Sequence, residues 1–230
     1  MRLRIKFTKN GCLKFIGHLD VMRYFQKAMR RAKIDIAYSA GFSPHQIMSF
    51  AAPLGVGMTS DGEYFDMEAN SVTSAEDIKI RLNAVMAEGI VVTDVRLLPE
   101  GAKNAMASVS AAGYTVRIRT GHDQDVPLAE AVARFHSSER VPYVKQTQKS
   151  ELTLDLKEGV HALSVENDAV SMVIDTGSSS NLKPAMIMET LYSYYGKQPE
   201  DFDFVIHRKE TYGRAEDGSF VPLSEAGEVF

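Results

Sequence analysis

The sequence predicts an α+β protein built from two tandem ferredoxin-like domains, the second with an extra β-hairpin, and three observations lead to that prediction. Segments with strand and helix periodicity follow each other in the order β-α-β-β-α-β over residues 1–100. The same order recurs over residues 101–212, with two additional short strands. The chain has 230 residues, of which 44% are hydrophobic, so it is long enough to bury two cores.

The first half opens with a strand and an amphipathic helix. Apolar and basic residues alternate over residues 2–7, as in a half-buried strand, and Asn10-Gly11 ends the pattern. Over residues 18–33 apolar side chains recur at helical spacing. The predicted apolar face holds Leu19, Met22, Phe25, Met29 and Ala32. The remaining elements are extended segments at 34–38 and 46–52, a strand at 63–68, a helix from Ser74 to Gly89 and a strand at 91–98.

The second half repeats this order with the extra hairpin. Its predicted elements are a strand at 113–120, a helix at 127–136, strands near 141–146, 151–156, 161–166 and 169–175, a helix from Asn181 to Gly196 and a strand at 202–207. Pro184 near the start of the last helix and Gly196 at its end are typical of helix termini. Residues 213–230 are expected to form an acidic, weakly ordered tail.

The composition excludes several kinds of site. Cys12 is the only cysteine, which excludes an internal disulfide, a zinc site with several cysteines and the three thiolates that an iron–sulfur cluster needs. The longest apolar stretches have the length of a strand, and the N-terminus begins inside an alternating basic pattern. We therefore expect a cytoplasmic protein with no cofactor of its own, no membrane-spanning helix and no signal peptide.

Positive charge is concentrated at the N-terminal end of the sequence. The net charge is −4, but residues 1–50 contain ten Lys and Arg and only two Asp, a surplus of eight positive charges. The remaining residues consequently carry a surplus of twelve negative charges. A polyanion is expected to be attracted to the first segment and repelled by the rest.

The first helix carries a basic ridge, which we define as Arg23, Lys27 and Arg30. These residues stand at i, i+4 and i+7, on the side of the helix opposite to the apolar face. One interpretation is a solvated helix face whose cations stabilise the C-terminal end of the helix dipole. The other interpretation is a phosphate-binding surface, which the scarcity of acidic partners on the ridge favours.

Aromatic residues follow the basic ridge in a segment rich in turn-forming residues. Tyr38, Phe42 and Phe50 offer faces on which unpaired bases stack, and His45 lies beside Pro44. The alternative is a turn at Gly41 and Pro44 with both phenylalanines buried in the core. The sequence leaves both interpretations open.

Two histidines are candidates for catalysis. His18 at the start of the first helix and His45 in the following loop are potential general acid and base if folding brings them together. The alternative for His18 is a structural hydrogen bond at the helix start. With Asp20 they supply metal-ligand atoms, but they lack the ligand spacing of a metal motif, so no metal is expected.

A turn in the second half is a weaker candidate for anion binding. Residues 177–181 precede a helix but lack the Gly-Lys-Ser/Thr ending of a nucleotide-binding loop, so a helix cap is favoured. Lys183 follows the turn and leaves contact with a phosphate open.

The sequence resembles the bacterial radical SAM-linked protein family, an uncharacterised family whose members occur alone or fused to cobalamin-binding radical SAM enzymes. The resemblance rests on Phe15-Ile-Gly-His-Leu-Asp-Val-Met-Arg23, Arg30-Arg-Ala, Ala37-Tyr-Ser-Ala-Gly-Phe-Ser-Pro-His45, Ser49-Phe-Ala-Ala-Pro-Leu-Gly55, Glu63-Tyr-Phe-Asp66, residues 177–184 and His207-Arg208. It implies a partner radical SAM enzyme that supplies the cluster and the S-adenosylmethionine chemistry. Genes of the family often stand near ribosome and RNA-processing genes, which points to tRNA or rRNA as a partner.

The leading functional expectation is an accessory protein that binds RNA for a radical SAM enzyme. The expected phosphate contacts are the basic ridge and Lys183, and the expected base contacts are Tyr38, Phe42 and His45. One alternative is a metal-independent RNA-processing enzyme that uses His18 and His45. Another is a protein–protein adaptor for the radical SAM enzyme that binds no RNA.

Overall fold

The structure, a computed structural model, describes residues 1–122, 125–146, 151–178 and 180–230. The elements of the first part of the chain are β1 (Arg2–Lys9), α1 (His18–Arg31), β2 (Asp35–Ile36), β3 (Met48–Phe50), β4 (Thr59–Ser71), α2 (Ala75–Asn83), β5 (Ile90–Leu97) and α3 (Ala105–Ser108). They are followed by β6 (Ala111–Ile118), α4 (Leu128–Ser137), β7 (Pro142–Gln146), β8 (Glu151–Asp155), α5 (Leu156–Gly159), β9 (Val160–Glu166), β10 (Ala169–Asp175) and α6 (Pro184–Ser193). The last elements are β11 (Phe204–Arg214), β12 (Phe220–Pro222) and a 3-10 helix (Leu223–Ala226); an earlier 3-10 helix spans Gly11–Phe15.

These elements form two compact units and confirm a mixed α+β protein with a mostly antiparallel sheet. Unit 1 consists of Met1–Ser110 together with Arg208–Phe230, and unit 2 consists of Ala111–His207. This division differs from the predicted domains at 1–100 and 101–212, because the end of the chain belongs to the first unit. No helix in the described ranges is long and apolar enough to cross a membrane.

In unit 1, β1 lies between β4 and β5 and pairs antiparallel with both. Leu3 stands opposite Met67 of β4 and Leu97 of β5. The short strands β2 and β3 also pair antiparallel with β4. The sheet places the odd-numbered apolar residues of β1 on the face that receives the helices.

Helix α1 covers this face of the sheet with aromatic contacts. Phe25 is fully buried, and its ring centroid lies 4.7 Å from that of Phe7 and 4.8 Å from that of Phe65. Such edge-to-face and tilted pairs stabilise a core beyond the area that they bury. The periodicity of α1 therefore predicts its buried face correctly at Phe25, Met29 and Ala32.

Leu19 was predicted on this apolar face but is 64% exposed. It lies about 120° around the helix from Phe25, because successive residues are rotated by about 100°. The residue that faces inward in the first turn is Val21, which is 5% exposed.

The opposite face of the sheet in unit 1 is also covered. Arg4 on β1 is 1% exposed and donates from Nε to Oδ1 of Asp66 at 2.8 Å and from Nη2 to Oδ2 at 3.0 Å. Its Nη1 donates to the carbonyl oxygen of Leu223 at 3.0 Å. The C-terminal segment thus participates in a buried hydrogen-bond network.

The weakly ordered tail expected for residues 213–230 is not what the structure contains. Leu223 is 2% exposed and belongs to a buried cluster with Tyr64 and Val109. β12 pairs with β11, and the backbones of Leu97 and Glu228 exchange two hydrogen bonds of 2.9 Å. The sequence prediction rested on the acidic composition of this segment and did not weigh the few apolar residues that anchor it.

Unit 2 has a second antiparallel arrangement in which β10 lies between β6 and β9. Val170 stands opposite Val116 of β6 and Val165 of β9. The helices α4 and α6 contribute buried Phe135 and Leu191 to its core. β7 and β8 pair separately as a two-stranded sheet at the position of the predicted extra hairpin.

Candidate functional site

The basic ridge is exposed along α1. Arg23, Lys27 and Arg30 are all solvent-exposed. Arg23 lies 3.5 Å from the carboxylate of Asp20, but the two side chains are 69% and 63% exposed, so this ion pair is weak. Arg31, next to the ridge, stacks over the ring of Tyr24 at 5.6 Å and is held against the helix surface. The ridge therefore presents cations to solvent as the helical spacing predicted.

The segment after α1 folds into a hairpin, which we call the aromatic hairpin and define as residues 37–47. The amide of Ile47 donates to the carbonyl of Ala37 at 2.9 Å, and the amide of Ser39 donates to the carbonyl of His45 at 2.8 Å. Beyond this last pair the chain turns through Gly41, whose φ of +111° is strained for any residue with a side chain. The turn leaves residues 40–44 as an exposed tip.

The aromatic residues have different exposures. Phe42 at the tip is fully exposed, with a relative accessibility of 111%, and Tyr38 is 52% exposed. Phe50 is only 8% exposed and stacks on Phe65 with a centroid distance of 5.0 Å. The core interpretation therefore applies to Phe50 and not to Phe42.

A buried glutamine joins the aromatic hairpin to α1. Gln46 is 6% exposed, and its Nε2 donates to the carbonyl oxygen of Gln26 in α1 at 3.2 Å. The same nitrogen donates to the hydroxyl oxygen of Tyr38 at 3.3 Å. Gln26 lies three residues after Arg23 and four before Arg30, so these three residues are neighbours on the helix surface. The hairpin consequently stands beside the basic ridge.

His45 belongs to the exposed part of the aromatic hairpin. Its Nδ1 lies 2.8 Å from Oγ of Ser39, and its backbone amide donates to the same oxygen at 3.1 Å. These two contacts close the hairpin below its tip and orient the imidazole ring.

His18 lies in a different environment, at the edge of the core of unit 1. Its ring meets that of Phe50 edge to face at 5.4 Å. A cavity of about 10 Å³, space for about one water molecule, lies among His18, Phe50, Lys9 and Glu63. Burial lowers the pKa of His18, while the carboxylate of Glu63 acts in the opposite direction and Lys9 adds to the lowering. His18 is therefore held preferentially neutral.

The residues around His18 form a buried polar cluster that the sequence interpretation missed. Lys9 is 2% exposed and donates to the carbonyl of Ile16 at 2.9 Å; burial lowers its pKa, and Glu63 opposes this. Arg208 donates from Nη1 to Oε1 of Glu63 at 2.9 Å. A signal for Lys9 was present, because it continues the odd-numbered, inward-facing positions of β1.

The two histidines have separate partners. His18 contacts Phe50 and faces Lys9 and Glu63, whereas His45 bonds to Ser39 in the exposed hairpin. These contacts do not pair them as a general acid and base. Within the part of the chain that the structure describes, no group of three His, Cys, Asp or Glu side chains is placed to hold a metal ion.

Lys183 lies in unit 2 and is exposed directly before α6. Earlier in the chain, the amide of Gly177 donates to the carbonyl of Ser180 at 2.9 Å. The predicted turn at 177–181 includes residue 179, which lies outside the described residues. Lys183 thus remains a separate candidate for a phosphate contact.

Comparison with known proteins identifies a family and a distant structural likeness. A chain of the "Crystal Structure of a Cbf5-Nop10-Gar1 Complex" is similar over 91% of this chain, with 7% sequence identity and a TM-score of 0.48. The protein covers 48% of that chain, about half its length, and the likeness is too distant to assign an activity. A search of curated proteins finds no match.

A family model matches most of the sequence. The model is described as "Uncharacterized protein conserved in bacteria (DUF2344)", and it matches residues 2–184. The match includes α1, the aromatic hairpin and Lys183. The chain therefore belongs to this conserved bacterial family, DUF2344.

Proposed function

We propose that the protein binds RNA in the cytoplasm as an accessory substrate-binding protein for a radical SAM enzyme. The observation that carries the RNA part is the link through Gln46, which holds the exposed Tyr38 beside the basic ridge. Cations that meet phosphates and aromatic faces that meet bases are the two components of RNA-binding surfaces. Here both belong to one unit, and Gln46 links the hydroxyl of Tyr38 to the backbone of the helix that carries the ridge.

The electrostatic term favours a polyanion at this surface. Arg23, Lys27 and Arg30 are exposed, and the ion pair of Arg23 with Asp20 leaves its charge largely available because both groups are solvated. When such cations neutralise phosphates, they release the counterions condensed on the RNA, and the affinity gained in this way falls with rising salt. tRNA and rRNA are the RNA classes that we propose as substrates.

The radical SAM part of the proposal has a different basis. It is supported by the resemblance of residues 15–66 to radical SAM-linked proteins, and by Cys12 being the only cysteine, too few to ligate an iron–sulfur cluster. The partner enzyme would supply the cluster and the radical chemistry, and this chain would hold the RNA.

We also propose that each unit is a ferredoxin-like domain. In unit 1 the strand order β5-β1-β4 with β2 and β3 on β4, and helices after β1 and β4, supports this assignment. In unit 2 the order β6-β10-β9 and helices after β6 and β10 support the same topology. The β7–β8 hairpin is then an insertion before the second strand.

The RNA proposal is tested by reversing charge on the basic ridge. Arg23→Glu combined with Arg30→Glu is expected to weaken binding to tRNA or rRNA fragments by at least tenfold at low salt, because two phosphate contacts become repulsive. In Arg23→Gln with Arg30→Gln, the slope of log affinity against log salt should become shallower by about 1.4 if the bound RNA is single-stranded. Filter binding or fluorescence anisotropy over a salt series measures both quantities.

A matched control reverses two positive charges outside the basic ridge. Arg117 in β6 and Lys209 in β11 are exposed, so Arg117→Glu with Lys209→Glu alters the net charge equally without touching the ridge. This control should retain most of the affinity. An unchanged affinity and salt slope in the ridge variants would contradict the RNA proposal.

The partner proposal is tested by isolating the protein from its own cells with and without ribonuclease treatment. The expected result is a radical SAM enzyme in the preparation, together with tRNA or rRNA in the untreated sample. An enzyme complex that withstands ribonuclease, with no RNA binding by the purified chain, would favour a protein–protein adaptor instead.

A further inference from the structure

The geometry of the aromatic hairpin divides its two exposed aromatic residues into different roles. Phe42 stands at the tip, beyond the last backbone pair of Ser39 and His45, with its whole ring in water. Tyr38 stands at the base, next to α1, with its hydroxyl group held by Gln46. A single exposed aromatic ring is common on protein surfaces. An exposed ring on a braced hairpin beside exposed cations is a more specific arrangement.

The buried side chain of Gln46 carries an energetic cost, and the contacts that it makes indicate its role. Its side chain is almost fully buried, yet its Oε1 has no hydrogen-bond partner among the described residues. A buried carbonyl oxygen without a donor is unfavourable, and an apolar side chain of similar size would avoid that penalty. What Gln46 supplies is its Nε2, which donates to both the backbone of Gln26 and the hydroxyl of Tyr38. It acts as a positioning residue for Tyr38.

The orientation of Gln46 also determines what the Tyr38 hydroxyl can do. Because the phenol oxygen accepts a hydrogen bond from Nε2 of Gln46, its own proton is directed elsewhere. Tyr38 is 52% exposed, so that proton is available to an acceptor in solution. Phosphate, ribose and base oxygens are such acceptors.

We infer that the ridge and hairpin take single-stranded RNA, with one unpaired base stacked on Phe42 and an RNA oxygen bound by the hydroxyl of Tyr38. This inference rests on the proposed RNA-binding function and names its substrate class. A ring at a hairpin tip stacks only on a base whose face is uncovered, and in a duplex each face is covered by the neighbouring pair. The ridge neutralises the adjacent phosphates.

The test compares an unstructured oligoribonucleotide containing 2-aminopurine with the same strand annealed to its complement. The full chain should bind the single strand more tightly and quench its 2-aminopurine fluorescence, because an aromatic ring stacks on the base. Phe42→Ala should reduce single-strand affinity roughly tenfold or more and remove the quenching, with little change for the duplex. Phe202→Ala, which removes an exposed ring from unit 2, is the matched control and should bind RNA as the unmodified chain does.

A second pair of variants tests the roles of Tyr38 and Gln46. Tyr38→Phe removes only the hydroxyl and should weaken single-strand binding by a few-fold, up to about tenfold. Gln46→Leu should weaken binding similarly, and the double variant should be no weaker than either single variant, because both remove the same contact. Losses that simply add would contradict the positioning role of Gln46.

The outcomes separate this inference from the function on which it rests. If the unmodified chain binds neither form of RNA, the proposed function fails and the inference fails with it. If it binds duplex and single strand equally, and Phe42→Ala changes nothing, the inference alone is wrong. If Phe42→Ala abolishes capture of the radical SAM enzyme while RNA affinity and quenching persist, the tip belongs to a protein interface, which also contradicts the inference.

Discussion

At the scale of single residues, the protein uses charge in two opposite ways. Arg4 and Asp66 form a bidentate pair with side chains 1% and 4% exposed, and Arg208 and Glu63 form a second buried ion pair with side chains 4% and 7% exposed. The side chains of the basic ridge, by contrast, are solvated. Buried pairs require each other because either charge alone is strongly disfavoured in the core. Exposed charges are free to meet a ligand.

The buried pair in β1 and β4 leads to a stability prediction. Asp66→Asn preserves the volume of the side chain but leaves the guanidinium of Arg4 without its counter-charge, so the free energy of unfolding of unit 1 should fall by about 3 kcal/mol or more. Denaturant titration with a probe in unit 1 measures this. The control is the Lys79–Glu76 pair, whose side chains are 34% and 63% exposed, and Glu76→Gln should cost at most about 1 kcal/mol. Equal effects would contradict the buried-pair explanation.

His18 leads to a prediction about pH. Because burial lowers its pKa, the unfolded chain binds the proton more readily than the folded chain. The stabilising contribution of neutral His18 is complete above its ordinary pKa of about 6.5 and is lost as the pH falls toward the lowered value.

The measurement is the pH dependence of unfolding in His18→Gln against the unmodified chain. Between about pH 7 and pH 5 the unmodified chain should lose more stability than the variant, since the variant has no imidazole to protonate at this position. An NMR titration that places the pKa of His18 at or above its ordinary value would overturn the prediction.

At the scale of elements, α1 connects the core to the candidate binding surface. One side of the helix packs Phe25 and Met29 into the core, and the other presents the basic ridge. Its position is determined by the aromatic contacts with β1 and β4. The hairpin that follows is braced on the same helix through Gln46. The rigid core therefore positions both the cations and the aromatic residues.

The start of α2 leads to a prediction for one element. The hydroxyl oxygen of Ser74 accepts a hydrogen bond of 3.1 Å from the amide of Asp77, which caps the helix. Ser74→Ala should lower the free energy of unfolding by about 1 kcal/mol, because that amide loses its partner. Ser74→Gly is the matched comparison and should lower the free energy of unfolding by only a few tenths of about 1 kcal/mol. Thermal unfolding of both variants measures these losses of stability. If Ser74→Ala lost less stability than Ser74→Gly, the capping role of Ser74 would be contradicted.

At the scale of the whole molecule, residues far apart in sequence complete unit 1. The C-terminal segment supplies Leu223, whose carbonyl accepts from Arg4 and whose side chain packs near Tyr64. Arg208 supplies the counter-charge for Glu63. The unit is therefore discontinuous in sequence, with unit 2 between its two segments.

This organisation predicts the effect of shortening the chain. Removal of residues 215–230 should destabilise unit 1 substantially and increase hydrogen exchange in β1 and β4, because it uncovers Arg4 and the buried cluster around Leu223. Leu223→Ala in the full chain should cost about 2–5 kcal/mol and reproduce part of the effect. Val221→Ala, at a partly exposed site, is the control. If hydrogen exchange in β1 and β4 is unchanged after the truncation, the C-terminal segment does not stabilise unit 1. That result would support the weakly ordered tail that the sequence predicts.

The sequence by itself determined the features that depend on local periodicity. The alternation in residues 2–7 predicts β1, and the spacing of Phe25, Met29 and Ala32 predicts the buried face of α1 and the exposure of the basic ridge. The turn residues Gly41 and Pro44 predict the turn at the tip of the aromatic hairpin. These patterns repeat over a few residues, so they can be recognised from a short stretch of sequence without knowledge of the rest of the chain.

Only the tertiary structure decided which polar residues are buried and which site residues meet. The alternation of β1 assigns Arg4 to a solvated face, but Leu223, more than two hundred residues later, covers it. Gln46 reaches α1, His18 lies against Phe50, and His45 bonds to Ser39. Such contacts join segments that are distant in sequence, and their stability depends on burial and hydrogen-bond partners that no local pattern encodes.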